Sequence, residues 1–320
     1  MSRNYVIFLV LSFVVIIASN FLITGNKDNE NVPKQEVNKE FSVNEDSYIV
    51  SDDDIVNEKK IGRETYVRFS TPLLEGKIST TGGKILDVNL RTYFEDAESA
   101  STIKLLHGQE FMSNTIIKIK DMEIPEEIKF SSNKSSMVIS KNGDQILLVS
   151  KIGGLKLEKN YLFEAKSHAI DQTIIVTNNS NKNLIFRVFE ESVGELNAKE
   201  RLVFDYYAGD DMEVVDSNPS EAEKIIDDIG WYGFAKKYFL SLSLLDLEGQ
   251  KTLKYSKSSK NHMRSLLSYR TVSLAPGAQY SISSTIFLGP KDPKMLSEFG
   301  RDFKKAQDLG WFEWLAVPLE

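Results

Sequence analysis

Three histidines and several neighbouring carboxylates are the side chains of this sequence that could act as acids, bases or metal ligands. His107, His168 and His262 stand far apart, and none has a second histidine four residues away, the spacing of a helical metal site. We therefore expect exposed histidines without a catalytic role. The chain contains no cysteine, which excludes disulfides, thiolate metal sites and cysteine nucleophiles.

The paired carboxylates do not predict a reactive site either. Glu190-Glu191 and Asp210-Asp211 are adjacent pairs, and neighbouring residues of a strand point to opposite faces, so neither pair implies a shared proton. The run at 52–54 is acidic but lacks the glycine and the distal glutamate of an EF-hand loop. We expect no metal, no cofactor and no enzymatic reaction.

Composition limits the class of protein. The 320 residues are 41% hydrophobic and 27% charged, as in a folded domain rather than a disordered chain or a many-pass membrane protein. The net charge is -7 and the isoelectric point is about 5.3, so the chain would repel a phosphate backbone. Nucleic acid is therefore excluded as the expected partner.

The N-terminal region predicts a membrane anchor followed by a tether. Tyr5 to Ile23 is an almost uninterrupted apolar run, and a helix needs roughly 20 such residues to cross a bilayer. A cleaved signal peptide is the alternative, but its apolar stretch is usually about 7 to 15 residues long. Arg3 favours a cytoplasmic N-terminus and a periplasmic main domain. We assign 1–25 to the anchor and 26–62 to an acidic, flexible linker.

Between Glu64 and Leu288 apolar and polar residues alternate with the period of β-strands. The apolar positions of four runs are Leu86, Val88, Leu90 and Phe94; Leu155, Leu157, Tyr161 and Phe163; Phe234, Tyr238, Leu240, Leu242 and Leu244; and Tyr280, Ile282, Ile286 and Leu288. Hairpin turns are expected at Gly82-Gly83, Asn142-Gly143, Gly153-Gly154, Asn178 to Asn181 and Pro276-Gly277. This pattern predicts a mainly β fold, one antiparallel sandwich over 63–289. Residues 195–230 are more polar, and we expect long loops there with a short helix at 220–228.

The last segment, 290–320, predicts an amphipathic helix with Asp292 as N-cap and Pro293 at the first helical position. Its apolar face would consist of Met295, Leu296, Phe299, Phe303 and Ala306. Beyond it, the sequence concentrates Trp311, Phe312, Trp314 and Leu315, residues typical of a membrane interface. The alternative is a helix tail packed on the β domain.

The order of several short motifs resembles the YidC-type membrane protein insertases (YidC/Oxa/Alb family). The motifs are Ser79-Thr80-Thr81-Gly82-Gly83, Trp231-Tyr232-Gly233-Phe234, Lys237-Tyr238-Phe239, Gly289-Pro290-Lys291, and Gly310-Trp311 with Pro318-Leu319. Each motif alone is weak. Their order, after an N-terminal anchor and over nearly the whole chain, makes the resemblance fairly specific.

The resemblance implies a periplasmic β-supersandwich, an interfacial helix and then a bundle of five transmembrane helices. It implies a function in the insertion and folding of inner-membrane proteins, alone or with the Sec translocon, with the bilayer and nascent membrane proteins as partners. The sequence ends before such a bundle, so we expect a fragment or a truncated product. Two alternatives stay open: a single-anchor periplasmic module that binds a partner, and a mutarotase-like carbohydrate-active domain suggested by the fold.

Overall fold

A computed structural model describes residues 64–95, 100–195, 203–209, 211–215, 223–246, 251–257, 262–300 and 303–307. The segments expected to form the anchor and the acidic linker lie outside these ranges. Within these ranges, no helix has the length and apolarity that crossing a bilayer requires.

The described residues form nineteen strands and two short helices. In chain order the strands are β1 (Tyr66–Ser70), β2 (Leu74–Ser79), β3 (Ile85–Phe94), β4 (Thr102–Lys104), β5 (Phe111–Ile119), β6 (Ser136–Val138), β7 (Asp144–Ile152), β8 (Leu155–Phe163), β9 (Ala169–Asn178), β10 (Leu184–Glu195), β11 (Val203–Ala208), β12 (Asp211–Val215), β13 (Glu223–Asp227), β14 (Ile229–Ala235), β15 (Phe239–Leu245), β16 (Lys251–Lys257), β17 (His262–Tyr269), β18 (Val272–Leu274) and β19 (Gln279–Pro290). Helix α1 spans Pro293–Ser297, and a 3-10 helix spans Phe303–Gln307.

The strands divide into two sheets that enclose one large apolar core. The first sheet has the order β13-β16-β17-β10-β5-β3-β2-β1-β6, with β4 beside β3 and β18 beside β10. The second has the order β12-β11-β14-β15-β19-β9-β8-β7. Every strand pair is antiparallel except β1 with β6. The predicted mainly β, antiparallel sandwich is confirmed for the described residues.

The alternating runs predict the inward faces of β8 and β19 correctly. All four apolar positions of β8 are buried, and Ile282, Ile286 and Leu288 of β19 are buried as well. In β3 the alternation fails, because Asp87 adopts a φ of 52° and the pairing with β2 shifts there. Val88 and Leu90 still face the core, but Leu86 is only half-buried.

The glycine-rich turns are at the predicted positions, but only two of them close hairpins. Gly82-Gly83 joins β2 to β3, and Gly153-Gly154 joins β7 to β8. The turns at Asn142-Gly143, Asn178 to Asn181 and Pro276-Gly277 instead carry the chain from one sheet to the other. Local turn chemistry is the same in both cases, so the sequence cannot distinguish them.

The expectation of loops and a helix in 195–230 is wrong for the residues described there. Val203–Ala208 and Asp211–Val215 are strands of the second sheet, and Glu223–Asp227 is the edge strand of the first. Strand β11 is apolar or buried on both faces, so it lacks the polar alternation of a half-exposed strand. Strand β13 is rich in charge, which is common at sheet edges.

The C-terminal helical segment begins as predicted but does not continue as one helix. Asp292 caps α1 by accepting hydrogen bonds from the backbone N–H groups of Lys294 (2.8 Å) and Met295 (3.2 Å), with Pro293 in the first turn. Gly300, with a φ of 65°, lies between α1 and the 3-10 helix. Leu296, Phe303 and Ala306 are buried in a second apolar cluster with residues of the second sheet, on its outer face.

Candidate functional site

The motif residues singled out in the sequence fall at three places in the fold. Gly82 and Gly83 form the β2–β3 turn. Trp231 and Gly233 lie within β14. The third group, Lys237-Tyr238-Phe239 with Gly289-Pro290-Lys291, comes together at one end of the second sheet, where Phe239 pairs with Pro290. Gly310, Pro318 and the four interface candidates Trp311, Phe312, Trp314 and Leu315 lie outside the described residues.

The two glycines of this turn adopt a backbone conformation that other residues rarely adopt. Both glycines have a positive φ, 68° and 67°. A Cβ on Gly82 would lie 1.6 Å from Oδ1 of Asn114, and one on Gly83 would lie 2.8 Å from Cδ of Lys159. The hydroxyl of Tyr161 donates a hydrogen bond to the Gly83 carbonyl (2.5 Å). The turn therefore closes over a group of polar side chains inside the sandwich.

These side chains form a polar centre between the two sheets. It consists of Lys159 (β8) and Gln172 (β9) from the second sheet and Ser113, Thr115 (β5), Glu190 (β10) and Tyr269 (β17) from the first. All six are buried. Polar groups buried together in this way must satisfy one another, since each unsatisfied one costs free energy.

Lys159 is the cation of the polar centre. Its Nζ lies 3.8 Å from Oε1 of Glu190 and donates to the hydroxyl of Thr115 (2.8 Å). It also donates to the carbonyl oxygen of Ser113, a residue held at a φ of 61°. The Ser113 hydroxyl accepts a third hydrogen bond (3.0 Å), so all three donors of the ammonium group meet acceptors contributed by the opposite sheet.

Glu190 is the anion of the polar centre, and its two oxygens are used separately. Oε1 accepts from Nε2 of Gln172 (2.6 Å) and from the hydroxyl of Ser113 (2.5 Å). Oε2 accepts from the hydroxyl of Tyr269 (2.9 Å). Glu191 points away from it, towards Asn114 and Arg264, so the prediction that this acidic pair does not share a proton is consistent with the geometry.

Burial controls the electrostatics of the polar centre. It lowers the pKa of Lys159 to about 8, and the nearby Glu190 carboxylate opposes part of that shift. It also raises the pKa of Tyr161 and Tyr269, and the charge of Glu190 raises both further. A general acid or base must reach a substrate atom. These groups face each other inside the core, so their geometry suits the joining of two sheets rather than catalysis.

The histidines differ from the expectation of exposed side chains. His168 is buried, its Nδ1 lies 3.0 Å from the Leu288 carbonyl oxygen, and a Cβ on Gly289 would lie 2.7 Å from its Cγ. Burial lowers its pKa, which the Leu288 carbonyl partly offsets. His107 and His262 are half-buried. Among the described residues no group of three or more potential ligands could hold a metal ion.

The third motif group lines an open cleft of about 740 Å³. Its walls are Tyr93 to Glu95 at the end of β3, Ile103 of β4, Tyr238 and Phe239, and Pro290 to Lys294. The Lys291 N–H donates to the Tyr238 carbonyl (2.9 Å), which holds the two motif segments together. The rings of Tyr93 and Phe239 meet edge to face with centroids 5.3 Å apart.

Two large aromatic side chains of this cleft face solvent. Tyr238 is 61% exposed and Phe94 is 53% exposed, although the sequence alternation predicts both as buried. Phe94 is the last residue of β3, and Tyr238 directly precedes β15, so both lie at strand ends, where alternation no longer predicts which side chains are buried. Lys237 is also exposed, and its Nζ lies 4.7 Å from the centroid of the Tyr238 ring. We name the surface formed by the lining residues and Lys237 the aromatic cleft.

Fold and site together define a two-sheet β domain with a buried polar centre and an exposed aromatic cleft. Residues 66–320 match the sequence model of the YidC periplasmic domain family. The chain belongs to that family.

Curated relatives support this assignment. The chain is 26% identical over 272 residues to the membrane protein insertase YidC of Syntrophus aciditrophicus, covering 80% of this chain and 50% of that protein. It is 24% identical over 288 residues to the insertase YidC of Wigglesworthia glossinidia brevipalpis, covering 80% and 52%. The chain therefore spans about half the length of the curated relatives it matches.

The likeness to solved structures is weak. A galactose mutarotase related enzyme from Lactobacillus acidophilus aligns with 70% of this chain and 97% of its own, at a TM-score of 0.44 and 10% identity. That protein is an enzyme by its name, and the likeness transfers no activity to this chain.

Proposed function

We propose that this chain is the N-terminal portion of a membrane protein insertase and assists the insertion and folding of inner-membrane proteins, alone or with the Sec translocon. The observation that carries the proposal is the family match over 66–320, together with relatives that bear that name and of which this chain matches about half. The two large sheets are consistent with the supersandwich that the resemblance implies.

The proposed topology follows from the sequence. Tyr5 to Ile23 would anchor the chain with its N-terminus in the cytoplasm, and the acidic linker would carry the β domain in the periplasm. The segment from Asp292 onward would lie at the membrane surface through Trp311, Phe312, Trp314 and Leu315. The apolar side chains of 293–307 are already engaged by the second sheet, so the bilayer contact is assigned to the residues beyond them.

Depletion of the complete gene product in its own host tests the function. Newly made inner-membrane proteins should then remain accessible to protease on the wrong side of the membrane or be degraded. Expression of the complete gene should restore insertion, whereas this 320-residue portion alone should not. Normal insertion in depleted cells would refute the proposal.

A partner-binding module on a single anchor is the second candidate, supported by the exposed aromatic cleft. The genomic reading frame after Glu320 distinguishes the insertase from the partner-binding module. Continuation past Glu320 into several apolar spans favours the insertase, and a stop codon there favours the module. The polar centre does not support a carbohydrate-active domain, because its acid and base are sealed between the sheets.

A further inference from the structure

We propose that the aromatic cleft docks the β domain onto the phospholipid surface of the membrane. The proposal rests on the placement of this chain at a membrane and adds a second contact, within the β domain itself. The ligand class is the phospholipid headgroup and the first carbons of its acyl chains.

The first observation is the kind of apolar surface that is exposed. Among the described residues, six large hydrophobic side chains are exposed, and the two aromatic ones, Phe94 and Tyr238, line the same cleft. The other four are Val138, Leu147, Leu162 and Val214, which are aliphatic and lie outside the cleft. Tyrosine next to lysine is typical of proteins at a bilayer interface, since its ring has an apolar body and a polar hydroxyl, and phenylalanine beside it adds apolar area for the acyl carbons.

The second observation is the charge around these rings. Lys237, Lys291 and Lys294 belong to the cleft, and Lys236 reaches the Lys104 carbonyl (3.4 Å) beside it. The carboxylates of the cleft are Glu95 and Asp292, and Asp292 is engaged in capping α1. The connection after Glu95 adds Asp96 and Glu98 in sequence. Because the acids balance the lysines, we assign the lysines a direct contact with lipid phosphate rather than a long-range attraction to anionic membranes.

The third observation is where the chain goes next. Pro290 to Lys294 line the cleft and lead into the C-terminal segment, whose last residues are the proposed interface aromatics. The cleft therefore lies where the chain enters the segment whose last residues would contact the bilayer. A cleft of about 740 Å³ can receive a headgroup between Tyr93, Phe94 and Tyr238.

The test uses the absence of cysteine in the full chain. Phe94→Cys places a single environment-sensitive label in the cleft, and Val138→Cys places the same label at another exposed apolar site, 78% exposed on β6. Each protein is reconstituted into vesicles of phosphatidylcholine, or of phosphatidylethanolamine with phosphatidylglycerol, that carry lipids brominated near the headgroup end of the chain. We expect quenching of the label at 94 and none at 138, in both lipid mixtures.

Variants of the cleft then identify the contacts. In the Phe94→Cys background, Tyr238→Ser should lower the docked fraction by about threefold or more. Lys237→Gln with Lys291→Gln and Lys294→Gln should also lower it by about threefold or more, in both lipid mixtures, because the phosphate that they contact is present in both. The matched control, Lys141→Gln with Lys151→Gln and Lys166→Gln, removes three exposed lysines elsewhere and should have no effect. Urea midpoints check that each variant is folded.

Three results would overturn the inference. Equal quenching at 94 and 138 would mean that the cleft has no special contact with lipid. A label at 94 that is shielded from water but not quenched would mean that another part of the chain, such as its C-terminal aromatics, occupies the cleft. Quenching that is the same in both cleft variants as in the Phe94→Cys protein would show that Tyr238 and the three lysines do not contact the lipid. Flotation of the chain with the vesicles reports the anchor separately, so failure of the cleft and failure of the anchor are distinguishable.

Discussion

At the scale of single residues, the buried ion pair of Lys159 and Glu190 joins the two sheets. Lys159→Met would leave the Glu190 carboxylate buried without its cation, and breaking a buried pair in this way costs about 3 to 5 kcal/mol. The unfolding free energy from urea titration should fall by that amount. The matched control is Lys156→Met on the outer side of the same strand, where Lys156 forms a surface pair with Glu158 (2.8 Å) worth at most about 1 kcal/mol. Equal losses in both variants would show that the pair does not hold the sheets.

The same lysine predicts a pH dependence of stability. Burial lowers its folded-state pKa to about 8, whereas an unfolded lysine titrates near 10.4. Above pH 8 the folded chain releases this proton while the unfolded chain keeps it, so the unfolded state binds more protons. The cost of burying the charge is therefore full below pH 8 and declines as the pH rises above it.

The measurement compares the wild type with Lys159→Met/Glu190→Gln, which lacks both charges. Between about pH 7.5 and pH 9.5, below the usual tyrosine range, the wild type should gain stability relative to the double variant. If the difference in unfolding free energy between the two proteins did not change with pH over this range, Lys159 would keep its proton. The Glu190 carboxylate would then compensate the burial of Lys159 more fully.

The polar centre could have been found in the sequence from parity alone. Lys159 stands at the inward position between Leu157 and Tyr161, and Gln172 and Glu190 occupy inward positions of β9 and β10 in the same way. A polar side chain at a position that alternation assigns to the core should be treated as a candidate for a buried network. Its partners could not be predicted, because they come from strands of the other sheet that are distant in sequence.

At the scale of elements, the β14–β15 hairpin depends on one motif glycine. Gly233 has a φ of 152°, and a Cβ there would lie 2.2 Å from the Ser241 backbone oxygen in the paired strand. Backbone cannot move aside as a side chain can, so Gly233→Ala should separate the two strands and lower stability by several kcal/mol.

Gly277→Ala is the control for this prediction. Gly277 also has a positive φ, 74°, but nothing lies within 4 Å of a Cβ placed there. Its substitution should cost only the backbone strain, about 1 to 2 kcal/mol. Thermal unfolding of both variants measures the difference, and similar losses would show that the close approach at Gly233 is relieved by small shifts.

The sequence predicts strands well where one face is buried and the other is exposed to solvent. That condition holds for β8 and β19, whose alternation is regular. It fails for β14 and for most of β15, where nearly all residues are buried because the C-terminal helices cover the outer face of the second sheet. Strand β11 is also buried on both faces, so the sequence predicts a loop where the structure has a strand.

At the scale of the whole molecule, our proposal gives the aromatic residues of the C-terminal segment two different environments, the β domain and the bilayer. Phe299 and Phe303 belong to the domain: Phe303 packs edge to face on Trp231 (5.8 Å between centroids) and on Phe287 (5.4 Å). Trp311 and Trp314 are assigned to the bilayer by our proposal. The boundary between the two environments would fall after the 3-10 helix, so aromatic content alone does not identify the membrane contact.

This division can be measured with the full chain, whose three tryptophans are Trp231, Trp311 and Trp314. Phe303→Ser removes a fully buried ring from the outer face of the second sheet and should cost about 3 kcal/mol or more of unfolding free energy. Trp311→Ser with Trp314→Ser should leave that free energy unchanged.

Contact with the membrane should instead depend on the two C-terminal tryptophans. In vesicles of brominated phospholipid, the tryptophan emission of the wild type should be quenched, because two of its three indoles would lie in the interface. In the Trp311→Ser/Trp314→Ser variant only the buried Trp231 emits, and its emission should be insensitive to the lipid. If that double variant instead loses as much stability as Phe303→Ser and the wild type shows no quenching, the C-terminal tryptophans pack against the sandwich, and the bilayer contact of this segment has to be abandoned.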